Sequence, residues 1–144
     1  MTLPPLAERV ARGDSVSRHH RYDAADIADF AHRAGDHNPV HIEDAAGVQS
    51  RFGKRIAAAE HTISLMLGLA ASWLAERGTA IGLGCSFRFT AAVREGDTLE
   101  LAWHVTDTYF KASLGGVIVC FEGAATNQDG LVAMRGKLEM LLQE

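Results

Sequence analysis

Asp36 and His41 are the side chains of this sequence whose types and spacing best suit acid–base chemistry. They lie five positions apart in the string GDHNPVH, which occupies residues 35–41. Proline lacks a backbone N–H and pushes its predecessor into extended geometry, so Asn38-Pro39 cannot continue a helix and the sequence predicts an ordered loop over residues 36–54. On a kinked loop, a carboxylate and an imidazole can converge on one water molecule, which supplies a base and an acid without a metal.

A helix of about three turns is predicted directly before this loop. Asp23 is a typical N-cap, apolar residues follow at helical spacing, and Gly35 is a typical terminator. The partial negative charge at the carbonyl end of this helix should raise the pKa of Asp36 and improve it as a base. A simpler interpretation is that Asp36 caps the loop and His41 packs at its rim, because Asp, Asn and Pro are common in turns for local reasons.

The rest of the chain predicts the elements that would enclose and position this loop. Residues 57–77 form a helix that is apolar on nearly every side, and such a helix must be covered by other structure. Alternating apolar and polar residues predict strands at 15–22, 81–90, 99–106, 117–122 and 134–140, separated by hairpin-length turns. The expected fold class is therefore α+β, with a curled antiparallel sheet around one long helix.

Composition narrows the possible partners. A length of 144 residues predicts one domain, here with residues 1–14 as a leading arm. The net charge of −4, without any long run of like charge, disfavours nucleic acid and anionic membrane surfaces as partners. The apolar stretch 62–75 is too short to cross a membrane. The two cysteines form no CxxC pair, and we expect them to be reduced thiols in a cytoplasmic protein. The histidines at 32, 37 and 41 with Glu43 match no metal-binding spacing, and no metal is expected.

A family resemblance adds to this interpretation. The pair Phe30-Ala31, the string at 35–41, Phe52, Ile56 and Ser64-Leu65 together resemble the MaoC-like, R-specific enoyl-CoA hydratases over roughly residues 22–142. The resemblance implies a hot-dog fold, in which an antiparallel sheet wraps a long helix, and a homodimer. It also implies reversible addition of water to a trans-2-enoyl thioester of CoA or of an acyl carrier, giving an R-3-hydroxyacyl product without a cofactor.

The same resemblance assigns roles to particular residues. Asp36 would take a proton from the water that attacks the β-carbon, and His41 would hold that water and protonate the α-carbon. Asn38 would brace the loop. Apart from the resemblance, Ser64 lies inside the long helix without a GxSxG pattern, so we expect it to line the substrate pocket or to bond back to the helix carbonyls rather than to act as a nucleophile. Free N–H groups in the first turn of the helix at 57–77 could stabilise charge on the thioester oxygen.

Ala58-Ala59 departs from the family pattern. Members of the family usually carry a His-Gly pair there, and in this chain Glu60-His61 follows. Because glycine allows close backbone approach and unusual dihedral angles, alanine could narrow the pocket or shift the donor.

Two other functions remain open from the sequence. In a hot-dog thioesterase, the water between Asp36 and His41 would attack the thioester carbonyl instead of the β-carbon. Alternatively, the replacement at 58 and 59 is compatible with a catalytically silent subunit, which binds an acyl thioester or completes another hydratase-like chain. The thioesterase and the hydratase differ only in which carbon faces the water, and spacing along the chain does not determine that distance.

Overall fold

A single antiparallel sheet forms the framework of the computed structural model, which describes residues 2–144; Met1, the first residue of the predicted arm, lies outside the described residues. The strands are β1 (Ser15–Arg21), β2 (Thr79–Phe89), β3 (Thr98–Lys111), β4 (Gly116–Thr126) and β5 (Val132–Gln143). They pair in the order β1-β3-β4-β5-β2, and every pairing is antiparallel. The predicted antiparallel sheet is confirmed, and β1 and β2 lie at its two edges.

Four helices accompany the sheet: α1 (Ala24–Ala34), α2 (Pro39–Ile42), α3 (Asp44–Gln49) and α4 (Ala59–Ala75). The long helix α4 begins two residues later than predicted. Met66 and Leu74 on its inner side are fully buried, and Trp103 of β3 donates its indole N–H to the carbonyl of Met66 at 2.7 Å. This contact places α4 across the face of the sheet that carries the core.

One side of α4 differs from the prediction that the helix is covered all round. Ser64, Gly68 and Ser72 are exposed, and residues four apart share one face of a helix. The sheet therefore covers α4 on one side, while a narrow strip of small residues remains open to solvent.

Local sequence signals determine the ends of α1. The Asp23 carboxylate accepts the N–H of Asp26 at 2.8 Å and caps the first turn. Gly35 ends the helix in the left-handed region, with φ of 73°, which glycine adopts at little cost. Both boundaries agree with the prediction, and Asp36 is thereby held at the carbonyl end of α1.

The segment 36–54 is more ordered than the predicted loop, because it contains α2 and α3. Pro39 occupies the first turn of α2, where its missing N–H is not needed for a helical hydrogen bond. The expectation of an ordered loop was therefore incomplete: α1 already ends at Gly35, and Pro39, which was expected to exclude a helix, begins the next one. A β-bridge between Ile56 and Arg94 then connects the end of the segment to the turn before β3.

The amino-terminal arm packs against the body of the protein. Val10 is 2% exposed and belongs to the core. The Arg9 guanidinium donates to the carbonyl of Arg77 at 2.9 Å and pairs with the Glu144 carboxylate at 2.7 Å. The arm is thus attached both to the residues after α4 and to the last residue of the chain.

Helix length and polarity also bear on membrane insertion. Within residues 2–144, no helix combines the length and the apolar character that a membrane span requires.

Candidate active site

Asp36 and His41 approach each other at the end of α1. Asp36 Oδ2 lies 3.5 Å from His41 Nε2. The Asp36 backbone N–H donates to the carbonyl of Ala31 at 2.9 Å, and the other carboxylate oxygen, Oδ1, accepts the N–H of Asn38 at 3.1 Å. One carboxylate oxygen is therefore held by the loop, while the other faces the imidazole.

A carbonyl group orients the His41 ring. His41 is 6% exposed, and its Nδ1 lies 2.7 Å from the carbonyl oxygen of Ile56. Because a carbonyl can only accept, this hydrogen bond assigns a proton to Nδ1. Nε2 then faces the Asp36 side and is the ring nitrogen that can take up or release a proton. The separation of 3.5 Å is long for a direct charge-assisted hydrogen bond, and it suits two groups that share a water molecule.

Arg55 holds the helix that carries His41. Its Nη1 donates to the carbonyls of His41 at 3.0 Å and Ile42 at 2.7 Å, and its Nη2 pairs with the Asp44 carboxylate. Arg55 is only 7% exposed, and these bonds compensate most of the cost of burying its charge. This residue was not predicted from the sequence, since nothing local distinguishes it from a surface arginine.

Glu60 is a second residue that sequence analysis did not place at the site. The pKa of Asp36 is lowered, first by a hydrogen bond from the Glu60 carboxyl and then by the N–H of Asn38. The pKa of Glu60 is raised, first by that same bond to Asp36 and then by burial. The two carboxyl groups therefore influence each other, and Asp36 is the one that ionises more readily.

This finding corrects the expected electrostatics of Asp36. The carbonyl end of α1 was expected to raise its pKa, but the pKa is lowered, because hydrogen bonds to the charged form outweigh the helix charge. In the sequence, the only indication that Glu60 belongs to the site is its position directly after Ala58-Ala59. The fold is needed to show that the first turn of α4 approaches Asp36.

A cavity of about 510 Å³ opens beside His41. Its lining includes Phe52 and Ile56 on one side, Ala58 and Glu60 from the start of α4, and Met134 of β5. A larger cavity of about 720 Å³ lies on the sheet and is lined by none of the predicted site residues. The smaller cavity is therefore the candidate binding site, because it alone of these two adjoins the acid–base pair.

The alanines at 58 and 59 fit the local backbone without strain. Ala58 has φ of −65° and ψ of 144°, an extended conformation that any residue adopts, and it is 2% exposed. Ala59 begins α4, and its N–H has no acceptor within the helix, while Ala58 provides no side-chain cap. Because Ala59 also lines the cavity, its N–H is a candidate donor to a bound oxygen.

Asn38 and Ser64 occupy different positions. The Asn38 side-chain oxygen accepts the N–H of Val40 at 3.4 Å, so Asn38 caps α2 and braces the turn between Asp36 and His41. Ser64 lies on the exposed strip of α4 and does not line the cavity beside His41. The fold thus brings Asp36, His41 and the two alanines to one region, while Ser64 lies apart from the cavity.

Comparisons with known proteins agree with this fold. The family described as MaoC like domain matches residues 7–119. A 3-hydroxybutyryl-CoA dehydratase from Methylorubrum extorquens is 31% identical over 84 residues, which are 58% of this chain and only 53% of that protein. An (R)-specific enoyl-CoA hydratase from Aeromonas caviae is 31% identical over 100 residues, 69% of this chain and 74% of that protein. The structure of an unliganded R-hydratase from Pseudomonas aeruginosa, 28% identical, superposes with a TM-score of 0.84 over 94% of this chain and 83% of that one.

Proposed function

This chain belongs to the MaoC-like domain family and has its hot-dog fold, and we propose that it is a hydratase acting on trans-2-enoyl thioesters, in the forward or reverse direction. The product of hydration would be an R-3-hydroxyacyl thioester of CoA or of an acyl carrier. The observation that carries the proposal is the Asp36–His41 pair, 3.5 Å apart beside a cavity. Relatives whose names specify hydration or dehydration of acyl-CoA support the reaction class.

The pair supplies both proton transfers of this reaction. Asp36, ionised at neutral pH, accepts a proton from water as the oxygen bonds to the β-carbon. The electrons of the double bond then move towards the thioester oxygen. His41, in its imidazolium form, donates the Nε2 proton to the α-carbon, and the proton on Asp36 afterwards returns to His41. Water is consumed, no net proton is released, and no electron acceptor is needed.

The surroundings of the pair would stabilise the intermediate charge. The N–H of Ala59 is positioned for a hydrogen bond to the thioester oxygen as that oxygen becomes negative. Asn38 braces the loop, and the Ala58 methyl group forms part of the cavity wall. Ser64 has no part in this proposal, because its side chain is exposed and does not line the cavity beside His41.

The decisive experiment measures hydration of a short enoyl-CoA through the loss of its conjugated absorbance. Asp36→Asn and His41→Ala should each lower the rate by about 10²–10⁴-fold, the usual effect of removing a general acid or base. Asp29→Asn and His32→Ala are matched controls on the exposed side of α1 and should retain the wild-type rate. A wild-type rate no higher than those of the two site variants would contradict the proposal.

The same assay separates the two other candidate functions. Release of free thiol with the double bond intact would identify a thioesterase. Binding of the acyl-CoA with neither reaction would identify a silent binding subunit.

A homodimer and a cytoplasmic location complete the proposal, with the whole chain acting as one domain. The dimer is favoured by β2, an edge strand on which Ile81 and Leu83 are 43% and 44% exposed. An edge strand with exposed apolar side chains is a site at which another chain can add. The opposite edge, β1, exposes Arg18, His19 and Arg21 instead, so β2 is the better candidate interface.

A further inference from the structure

Two histidines and one aspartate converge next to the active site, on residues to which the proposed reaction gives no role. His20 lies on β1, Asp26 in the first turn of α1, and His61 in the first turn of α4. His20 Nε2 is 2.7 Å and His61 Nε2 is 3.5 Å from the same oxygen, Oδ2 of Asp26. The three potential ligand atoms all lie within 4.8 Å of one another.

We propose that His20, Asp26 and His61 form a binding site for a divalent transition-metal ion of the zinc type. Two imidazole nitrogens and one carboxylate oxygen are a ligand set that Zn²⁺ and related ions favour over Mg²⁺ or Ca²⁺. Ligand atoms about 2.0–2.1 Å from a tetrahedral ion are roughly 3.4 Å apart. The present separations need only a small adjustment of His20 and His61 to reach this geometry, and the fourth position would be left for water.

Aromatic neighbours hold the two rings in place. Phe30 stacks on His61 with ring centres 4.3 Å apart and planes 1° from parallel, and Tyr22 meets His61 edge-on at 4.9 Å. Tyr22 also contacts His20 edge-on, at 4.8 Å. Because these contacts restrict ring rotation, both imidazoles are oriented before an ion arrives, which lowers the entropic cost of binding.

The surroundings of His61 also favour an additional partner. The ring is 2% exposed, and within residues 2–144 its Nδ1 has no hydrogen-bond partner. At 3.5 Å, the Asp26 oxygen is a weak partner for Nε2. A metal bond to Nε2 would replace this weak contact by a strong one, while the unpartnered Nδ1 would not contact the ion. Asp26 and His20 are 32% and 24% exposed, so an ion can enter from solvent on their side.

Such an ion would join β1, α1 and α4. The helix α1 leads through Gly35 into Asp36, and the first turn of α4 carries Glu60 next to His61. The ion would therefore hold together the two helices that flank the acid–base pair. These ligands differ from the histidines at 32, 37 and 41, whose spacing led to the expectation of no metal.

Metal titration of untagged, chelator-stripped protein tests the site without reference to activity. Zn²⁺ should bind with one equivalent per chain in calorimetry, and Co²⁺ should give the visible absorption of a four-coordinate site. Asp26→Asn and His20→Gln should weaken binding at least about tenfold. His19→Gln, which changes the adjacent and more exposed histidine of the same strand, should bind as tightly as wild type.

Thermal unfolding provides a second readout. Zn²⁺ should raise the Tm of the wild type and of His19→Gln, and it should leave the Tm of Asp26→Asn unchanged, because an ion stabilises only a fold that binds it. Absence of saturable binding to the wild type would overturn the proposal and leave a hydrogen-bonded cluster of His20, Asp26 and His61. Equal affinity of the wild type and both ligand variants would overturn it too, since the ion would then bind elsewhere.

Discussion

The carboxyl groups of Asp36 and Glu60 shift each other's pKa in opposite directions. The pKa of Asp36 is lowered by hydrogen bonding with Glu60 and with the N–H of Asn38, and the pKa of Glu60 is raised by the hydrogen bond with Asp36 and by burial. The result is that Asp36 is the carboxyl of the two that ionises more readily, as a base requires. Because its pKa is lowered rather than raised, Asp36 binds a proton less tightly than the partial charge at the end of α1 alone would cause, but a larger fraction of its carboxyl groups is ionised.

Removing the Glu60 donor should raise the pKa of Asp36. The bond from Glu60 favours the ionised form, so Glu60→Ala moves the pKa of Asp36 up towards its ordinary value, while Glu60→Gln, whose amide can still donate, should keep it low. A carboxyl ¹³C NMR titration of Asp36 in the three proteins measures this shift. An Asp36 titration that is identical in wild type and Glu60→Ala would show that Glu60 does not lower the pKa, which would leave the N–H of Asn38 and the neighbouring histidines as the causes.

At this scale, local spacing predicted only part of the site. Asp36 and His41 lie on one short string, so their meeting depends on a few dihedral angles around Pro39. Arg55 and Glu60 reach the same region through contacts that span 14 and 24 positions of the chain. Such contacts depend on how α2, α4 and the turn before β3 pack, and no periodicity in the sequence encodes that packing.

The short helix α3 packs tightly behind the site. Gly47 is buried, and a Cβ atom built there would overlap the backbone N of Arg55. Because Arg55 holds the carbonyls of His41 and Ile42, the close approach at Gly47 also positions the imidazole.

A methyl group at position 47 should therefore destabilise the protein. In Gly47→Ala, the added methyl group would push residue 47 away from the backbone of Arg55. Overpacking of this kind lowers the free energy of unfolding by about 1–3 kcal/mol. Gly68→Ala is the matched control, since nothing lies within 4 Å of its Cβ position on the open strip of α4, and alanine is the better helix former by about 1 kcal/mol. Urea denaturation should show a lower midpoint for Gly47→Ala and an equal or higher one for Gly68→Ala; the reverse order would refute this account.

Helix ends were predictable where a capping residue marks them. Asp23 and Gly35 bound α1 through their own side-chain and backbone properties, so its limits follow from the sequence. The start of α4 has no such marker, because Ala58 offers no capping group, and the predicted start at residue 57 was two residues early. The helices in 36–54 were missed because Pro39 was interpreted as excluding a helix, whereas proline is well tolerated at the first helical position that it occupies in α2.

The two edges of the sheet differ in chemical character. On β2, Ile81, Leu83 and Phe89 are exposed, whereas β1 presents mainly charged and hydroxyl side chains. The sheet itself was predictable from alternation and turn spacing. The position of β2 at an edge was not, because the pairing of β2 with β5 joins residues that are far apart in sequence.

A lysine on the apolar edge should separate the proposed dimer. Leu83→Lys places a charge on β2 that a second chain would have to bury, whereas His19→Lys makes the corresponding change on β1. Light scattering at micromolar concentration should report a dimer for the wild type and His19→Lys, and a monomer for Leu83→Lys. A wild-type monomer, or a Leu83→Lys dimer, would exclude β2 as the interface.

The Arg9 side chain brings the amino-terminal segment and Glu144 together, since it binds both the carbonyl of Arg77 after α4 and the side-chain carboxylate of Glu144. A circular permutant can therefore join residues close to Arg9 and Glu144 with a short linker and open the chain at the exposed turn around Asp129. New ends at that turn lie far along the chain from Asp36 and His41, so a reporter domain could be inserted there without extending the loop that carries them.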